Sequence, residues 1–216
     1  MKDGKPNLHL GCGNVYLEGY INIDFPLDQQ TATPLSHAKV DEYADITRLV
    51  YEPGSVAEVR LHHVFEHFDR PTAIALLVNW YQWLVEDGVL TIETPDFDRC
   101  TKAYLFGNAK TRGLVLRHLF GSHDAHWAVH YDGWYKKKFR EHLSALGYRN
   151  LKFRLVNDRG LHNITAKAQK KAPYLTVAQQ KAAAEKLLRL SLVDNSASEQ
   201  RRLAVWLNTF DAILSG

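Results

Sequence analysis

Apolar residues recur with two periods along this chain, and the switches between those periods mark its elements. Residues 7–10 are a short apolar-rich run that stops at Gly11-Cys12-Gly13, the pattern of a buried strand entering a tight turn. Residues 20–24 (YINID) predict a second short strand, 40–45 a weaker third, and 56–62 a fourth that follows the turn residues Pro53-Gly54. The period then changes. Across 71–86, Ile74, Leu77, Val78, Tyr81, Leu84 and Val85 fall on one helical stripe. Asp69 is placed to cap that helix, Pro71 suits its first turn, and Asp87-Gly88 ends it. Residues 89–94 (VLTIET) return to a β-branched strand that Pro95 stops.

Beyond it, 98–119 reads as helix broken near Gly107-Asn108, and 118–134 as a structured loop or lid rich in His, Gly, Asp and aromatic residues. A helix over 135–146 ends at Gly147, and 151–156 with 162–168 predict a strand hairpin around Asp158-Arg159-Gly160. From Ala172 the composition turns to Ala, Lys and Leu. Thr176 and Gln179 make a capping-box pattern before a helix reaching about residue 192. After a turn at 194–198, a last helix over 199–214 carries Leu203, Trp206, Leu207, Phe210 and Leu214 on one face. The alternation predicts an α/β fold: a Rossmann-like three-layer sandwich on a mostly parallel sheet, an antiparallel terminal hairpin, and a C-terminal helical hairpin. We divide it into a sheet domain over 1–171 and a helical appendage over 172–216, which either packs back on the sheet or mediates association.

Composition narrows the function classes. The chain has 216 residues, 45% hydrophobic and 24% charged, enough for a core that needs no disulfide staples. Its two cysteines, Cys12 and Cys100, lack metal-like spacing and read as reduced thiols in a cytoplasmic protein. The first residues form no signal peptide, and no stretch is long and apolar enough to span a membrane. A net charge of +3 does not mark a nucleic-acid binder, and the run Lys136, Lys137, Lys138 and Arg140 reads as a solvated helix face.

Candidate chemistry begins at the first turn. Glycines there let a ligand approach the backbone, and a carboxylate closing the next strand, Asp24, can accept hydrogen bonds from both hydroxyls of a ribose. LHLGCGNVYLEGYINID resembles the first motif of class I S-adenosylmethionine (SAM)-dependent methyltransferases, closest to a bacterial subgroup with a shortened link between glycine turn and acidic strand end. Ala44-Asp45-Ile46, EVRLHHVFEH at 58–67, WLVEDGVLTI at 83–92 and Thr94-Pro95-Asp96-Phe97 follow in the order of that family's later motifs, so the resemblance covers about 7–168. It implies that Gly11, Cys12 and Gly13 border the methionine part of SAM and that Asp24 holds the ribose. It implies further that Asp45 and the Ile46 backbone meet the adenine, and that His62 and His63 lie near the methionine end. The short link leaves Asn22 and Asp28 as competitors of Asp24, and Cys12 reads as packing. The subgroup's association with cell-surface polysaccharide biosynthesis implies a saccharide or other small polar acceptor.

Two histidine-rich stretches remain. His63-Val-Phe-Glu66-His67 matches H-x-x-E-H, a zinc-protease pattern, but here it follows a strand instead of lying on a long helix. In the methyltransferase reading its side chains line the acceptor side. The loop residues His123, Asp124, His126, Trp127, His130, Tyr131, Asp132 and Trp134 supply groups that could take a hydroxyl proton or stack on a sugar. His130 is the first candidate base, then His63 and Asp96. We assign no metal, although the spacing His123, His126, His130 would allow a divalent ion. Two other functions compete. A nucleic-acid amino-methyltransferase would need an Asn/Asp-Pro-Pro-aromatic loop after the fourth strand, where this chain has His62-His63-Val64-Phe65, so no nucleic-acid partner is expected. A non-catalytic SAM-binding scaffold would use the C-terminal helices to meet a second copy or a fusion partner.

Overall fold

The computed structural model describes residues 4–25, 39–158 and 160–215. In chain order the elements are β1 (Asn7–Leu10), β2 (Ile21–Asp24), β3 (Glu42–Tyr43), β4 (Val56–His62), α1 (Arg70–Trp83), β5 (Leu84–Pro95), α2 (Phe97–Phe106), α3 (Ala109–Phe120), α4 (Lys136–Ala145), β6 (Tyr148–Asp158), β7 (Leu161–Lys170), α5 (Val177–Arg189) and α6 (Ala197–Ser215). Single 3-10 turns lie at Ile46–Arg48 and Phe65–His67. Among the described residues seven strands form one sheet in the order β3-β2-β1-β4-β5-β7-β6. Every pairing is parallel except those of β7, which runs antiparallel to both β5 and β6. The α/β architecture expected from the sequence is therefore present, with its terminal hairpin inserted beside β5.

Alternation along the strands gives the sheet two unlike faces. Leu8, Leu10, Ile23, Val59, Leu61, Leu90, Ile92, Ile164, Ala166 and Ala168 are buried in the main core with Ile74, Leu77, Val78 and Tyr81 of α1 and Phe139 and Leu143 of α4. The intervening residues are polar and bond one another. Arg60 donates through Nε to His62 Nε2 at 3.0 Å, Thr91 to Glu58 at 3.3 Å, and Thr165 to Glu93 at 2.6 Å.

Two boundaries differ from the sequence pattern. The stripe through Leu84 and Val85 suggests helix to residue 86, yet α1 stops at Trp83 because Leu84 pairs with Val56 and is wholly buried. Lys170 Nζ donates to the Gln82 and Leu84 carbonyls at 3.3 and 2.8 Å, satisfying the helix end that the switch exposes. The hairpin strands also run longer than expected, to Tyr148–Asp158 and Leu161–Lys170. The starts of α1, α3 and α5 follow their local signals: Asp69 caps Thr72, Asn108 caps Thr111, and Thr176 with Gln179 closes a full capping box.

The C-terminal helices pack back on α1. Ala184, Leu188, Leu203 and Phe210 join the same buried cluster as the sheet. Wholly buried Gln180 donates to the Leu146 carbonyl at 2.7 Å and accepts from Gln82 at 2.6 Å, while Asn79 donates to the Ile213 carbonyl at 3.1 Å.

One core group makes folding acid-sensitive. His142 of α4 is 6% exposed, lies edge-on to Trp134, and donates Nδ1–H to the Lys138 carbonyl at 2.9 Å. Burial first, and the Lys138 charge second, hold its pKa down to about 4 against 6.5 for the free side chain. The unfolded chain therefore binds a proton that the folded chain refuses between those values. The associated stability is complete above pH 6.5 and is lost as pH falls toward 4. We expect the unfolding free energy in urea to drop by about 2–3 kcal/mol from this group between pH 7 and 4.5, and a His142→Asn variant to lack that part of the drop.

Candidate functional site

The strand order reverses between β1 and β4, and open α/β sheets bind ligands outside the carboxyl ends of strands at such a switch point. Here β1 ends at Leu10, and the turn that follows curls over the end of β2. The Gly11 and Cys12 amides both donate to the Ile23 carbonyl, at 2.8 and 3.1 Å. The Gly13 amide donates to Asp24 Oδ2 at 2.6 Å, and Phe25 N–H donates to Oδ1 at 2.7 Å. Asp24 thus faces the glycine turn, with lone pairs left on both oxygens. Gly11 adopts φ +67°, and a Cβ there would overlap the Val64 side chain at the exit of β4; a Cβ on Gly13 would meet open space. The turn is tight against protein at Gly11 and open at Gly13.

The short link between β1 and β2 is held by Asn22. Its amide donates to the Leu17 and Tyr20 carbonyls and to Asp41, while its Oδ1 accepts from Leu17 N–H and faces His9 Nδ1 at 3.0 Å. Wholly buried and fully engaged, Asn22 has a structural task and does not compete with Asp24. Asp28 lies outside the described residues. Cys12 is buried, with Sγ 3.8 Å from Asp24 Oδ2, and burial together with that carboxylate pushes its thiol up to about 12. A group so hard to ionise is packing, not a nucleophile. Asp45 caps the turn of Ile46 by accepting from Thr47 N–H at 2.9 Å and Thr47 Oγ1 at 2.7 Å, and Ile46 is buried.

The exit of β4 builds a second group. Phe65 is wholly buried among Trp80, Trp134 and Phe139, with its ring centroid 4.7 Å from that of Trp134. This contact fastens the 3-10 turn to the end of the 121–134 loop, and the Tyr131 amide adds a bond to the Glu66 carbonyl at 2.9 Å. The polar side chains between these anchors are pressed together. His63 Nδ1 lies 3.2 Å from Glu66 Oε1, and the Asn163 amide lies 3.2 Å from His63 Nε2 and 2.8 Å from His118 Nε2 through its oxygen. A carboxylate only accepts, so Nδ1 of His63 carries the proton and Nε2 the lone pair. The backbone at His63 is left-handed, φ +55°, while its N–H is held by the Glu93 carbonyl. His67 Nδ1 meets the Val129 carbonyl at 3.1 Å, and its ring stands edge-on to His130 at 4.6 Å and to Trp127 at 6.3 Å.

Glu66 is 2% exposed. Burial works against its ionisation, but the His63 hydrogen bond and the neighbouring imidazoles outweigh it and keep the carboxyl below the usual glutamate value. Its Oε2 and the Nδ1 of His130 are buried without a hydrogen-bond partner among the described residues. His62 stands 5.7 Å from the His9 ring, and burial, followed by the Arg60 charge, lowers its pKa to about 4, so it is neutral at neutral pH, with Nε2 accepting from Arg60 and the proton on Nδ1.

The remaining candidates have other partners. Asp96 is buried where its amide bonds the His162 carbonyl and the Phe97 amide bonds that of Trp134, and burial raises its carboxyl. His123 turns Nε2 onto the Phe120 carbonyl at 2.8 Å, and His126 is exposed, so neither joins His130. Asp132 pairs with Lys138 at 2.7 Å and Arg70 at 3.7 Å. A groove of about 410 Å³ beside that pair, lined also by Phe97, Glu141 and Leu187, shares no residue with either group above. Sequence reasoning missed His118, Asn163 and Glu93. Polar alternation along β5 and β7 is the local signal for Glu93 and Asn163, while His118 lies on α3.

No family model and no curated protein matches the sequence. Solved structures do share the fold. A SAM-dependent methyltransferase from Archaeoglobus fulgidus is 16% identical and superposes with a TM-score of 0.55 over 78% of this chain and 87% of its own. One from Methanosarcina mazei is 13% identical, with a TM-score of 0.51 over 79% of this chain and 94% of its own. For a Bordetella parapertussis protein the TM-score is 0.49 at 15% identity, over 78% of this chain, which spans 63% of that protein's length. The likeness is one of fold, and no helix among the described residues is long and apolar enough to cross a membrane.

Proposed function

We propose that this chain is a SAM-dependent methyltransferase that methylates a hydroxyl of a saccharide or similar small polar acceptor. The observation that carries this reading is the Gly11–Gly13 turn at the sheet's switch point with the Asp24 carboxylate turned onto it. The residues fit the nucleotide: Gly13 leaves space above the backbone, and Asp24 keeps acceptor capacity on both oxygens for two ribose hydroxyls. Asp45 and the Ile46 backbone would meet the adenine, and the neutral His62 would lie toward the methionine end. Bound there, SAM supplies an electrophilic methyl group on a sulfonium.

What the protein adds is alignment and proton transfer. His63, beside Val64 where that residue packs on Gly11, would take the acceptor's hydroxyl proton on Nε2, with the hydroxyl displacing the Asn163 amide that donates to that nitrogen at 3.2 Å. Glu66 behind it stabilises the imidazolium that forms. The acceptor class is supported by exposed rings at the same edge. Trp127 is 42% and Tyr131 61% exposed, one beside His67 and the other next to His130, and such rings stack on the apolar face of a sugar.

The test is release of S-adenosylhomocysteine on incubation with SAM and a panel of saccharides and nucleotide sugars. We expect turnover with at least one of them. His63→Ala should lower kcat by about 10²–10⁴-fold while S-adenosylhomocysteine affinity, by calorimetry, stays within about twofold. Failure of SAM and S-adenosylhomocysteine to bind would end the reading.

A further inference from the structure

We propose that Glu66, His67 and His130 form a binding site for one divalent first-row metal ion of the zinc or manganese kind. Each of the three offers a ligand atom within 4.8 Å of the other two. Donors around an ion held by bonds of about 2.1 Å lie about 3.4 Å apart, so modest side-chain rotations would close the set. The pair Glu66 and His67 comes from the turn after β4, and His130 from the loop clamped to that turn by Phe65 and Trp134. The backbone is fixed on both sides: Tyr131 N–H bonds the Glu66 carbonyl at 2.9 Å, and His130 N–H bonds that of Phe120 at 3.1 Å.

Independent observations point to a ligand. Glu66 is 98% removed from solvent, yet among the described residues its Oε1 alone has a hydrogen-bond partner; Oε2 and His130 Nδ1 are buried without one there. These unmet atoms belong to two of the three clustered residues, and leaving a buried carboxylate oxygen and ring nitrogen without a partner is costly, a cost that a bound cation would remove. His67 adds a second argument. The Val129 carbonyl can only accept, so His67 Nδ1 carries the proton and Nε2 keeps its lone pair. A histidine that donates one ring N–H to a carbonyl and frees the other nitrogen is arranged as metal-bound histidines are. His63, bonded to Glu66 Oε1, would orient the carboxylate from outside the ligand set. One carboxylate with two imidazoles suits zinc, manganese or iron(II) and leaves coordination positions open. Use of an open position by an acceptor hydroxyl rests on the methyltransferase reading; binding of the ion does not.

The experiment is titration of the chelator-stripped full chain with Co²⁺ alone, followed by visible absorption, with Zn²⁺ as competitor. We expect one equivalent to bind with d–d bands that Zn²⁺ abolishes. His130→Ala and the near-isosteric Glu66→Gln should each weaken binding by about 100-fold or more. The double variant His123→Ala/His126→Ala should keep the full equivalent. Thermal melts report folding of each variant, and added Zn²⁺ should raise Tm in wild type but in neither ligand variant. No stoichiometric Co²⁺ or Zn²⁺ on wild type, or binding unchanged in both His130→Ala and Glu66→Gln, overturns the site. Calorimetry with S-adenosylhomocysteine on the same samples keeps the two ideas apart. Nucleotide without metal sinks only the metal site, and metal without nucleotide sinks only the methyltransferase.

Discussion

Replacing Asp24 by alanine is expected to weaken binding of SAM and S-adenosylhomocysteine by about 100-fold or more while the chain still folds. The magnitude follows from what the carboxylate does. Two ribose hydroxyls donating to an ionised acceptor contribute about 1.5–3 kcal/mol each, and each 1.4 kcal/mol is about tenfold in affinity. The Asp24 side chain also accepts from the Gly13 and Phe25 amides, so alanine frees the turn at which the nucleotide is proposed to bind. Asp24→Asn separates these effects. The amide oxygen can still accept from Gly13 N–H, but the charge is gone, and a loss of about tenfold is expected. Calorimetry with S-adenosylhomocysteine measures both variants, with circular dichroism as the check on folding. Wild-type affinity in Asp24→Ala would show that the nucleotide, if bound, takes its sugar contact elsewhere.

The strands that frame this crevice were legible because their signals are local. A buried strand running into Gly11-Cys12-Gly13 and a second ending in Asp24 need no tertiary information, and neither do the caps at Asp69 and Thr176. Where two periods overlap, the pattern misleads. Leu84 and Val85 extend the helical stripe of α1, but pairing of Leu84 with Val56 decides the matter, and that partner is distant in sequence. The second group was half legible for the same reason. The spacing of His63, Glu66 and His67 is visible in the chain, while their meeting with His130, His118 and Asn163 depends on how the loop and β7 fold back. The regular spacing of His123, His126 and His130 suggested a different set. It fails because His123 satisfies its ring within the loop, on Phe120, and His126 points to solvent.

Trp134→Ala should give the largest loss of stability among single changes near the site, and it should reach the chemistry through packing alone. Trp134 is 1% exposed, lies tilted against Phe65 at 4.7 Å and stacked on Phe139 at 4.8 Å, with His142 against its edge and Lys138 Nζ 4.2 Å from its ring centre. Removing so large a buried ring costs about 3–5 kcal/mol, or about 10 °C in Tm for a chain of this size. The indole is also the contact that holds the end of the loop against Phe65. Its loss lets His130 swing from Glu66, while the glycine turn, on the other side of β4, keeps its own bonds to Ile23 and Asp24. Turnover, and Co²⁺ binding if the metal site is present, should therefore fall well beyond the fraction unfolded, with S-adenosylhomocysteine affinity near wild type. Trp134→Phe keeps most of the ring contact and discards an indole N–H that has no partner among the described residues, so it should recover most of the stability and activity. Equal losses of nucleotide affinity and turnover in Trp134→Ala would instead mean that the aromatic cluster supports the whole crevice, not the histidine group alone.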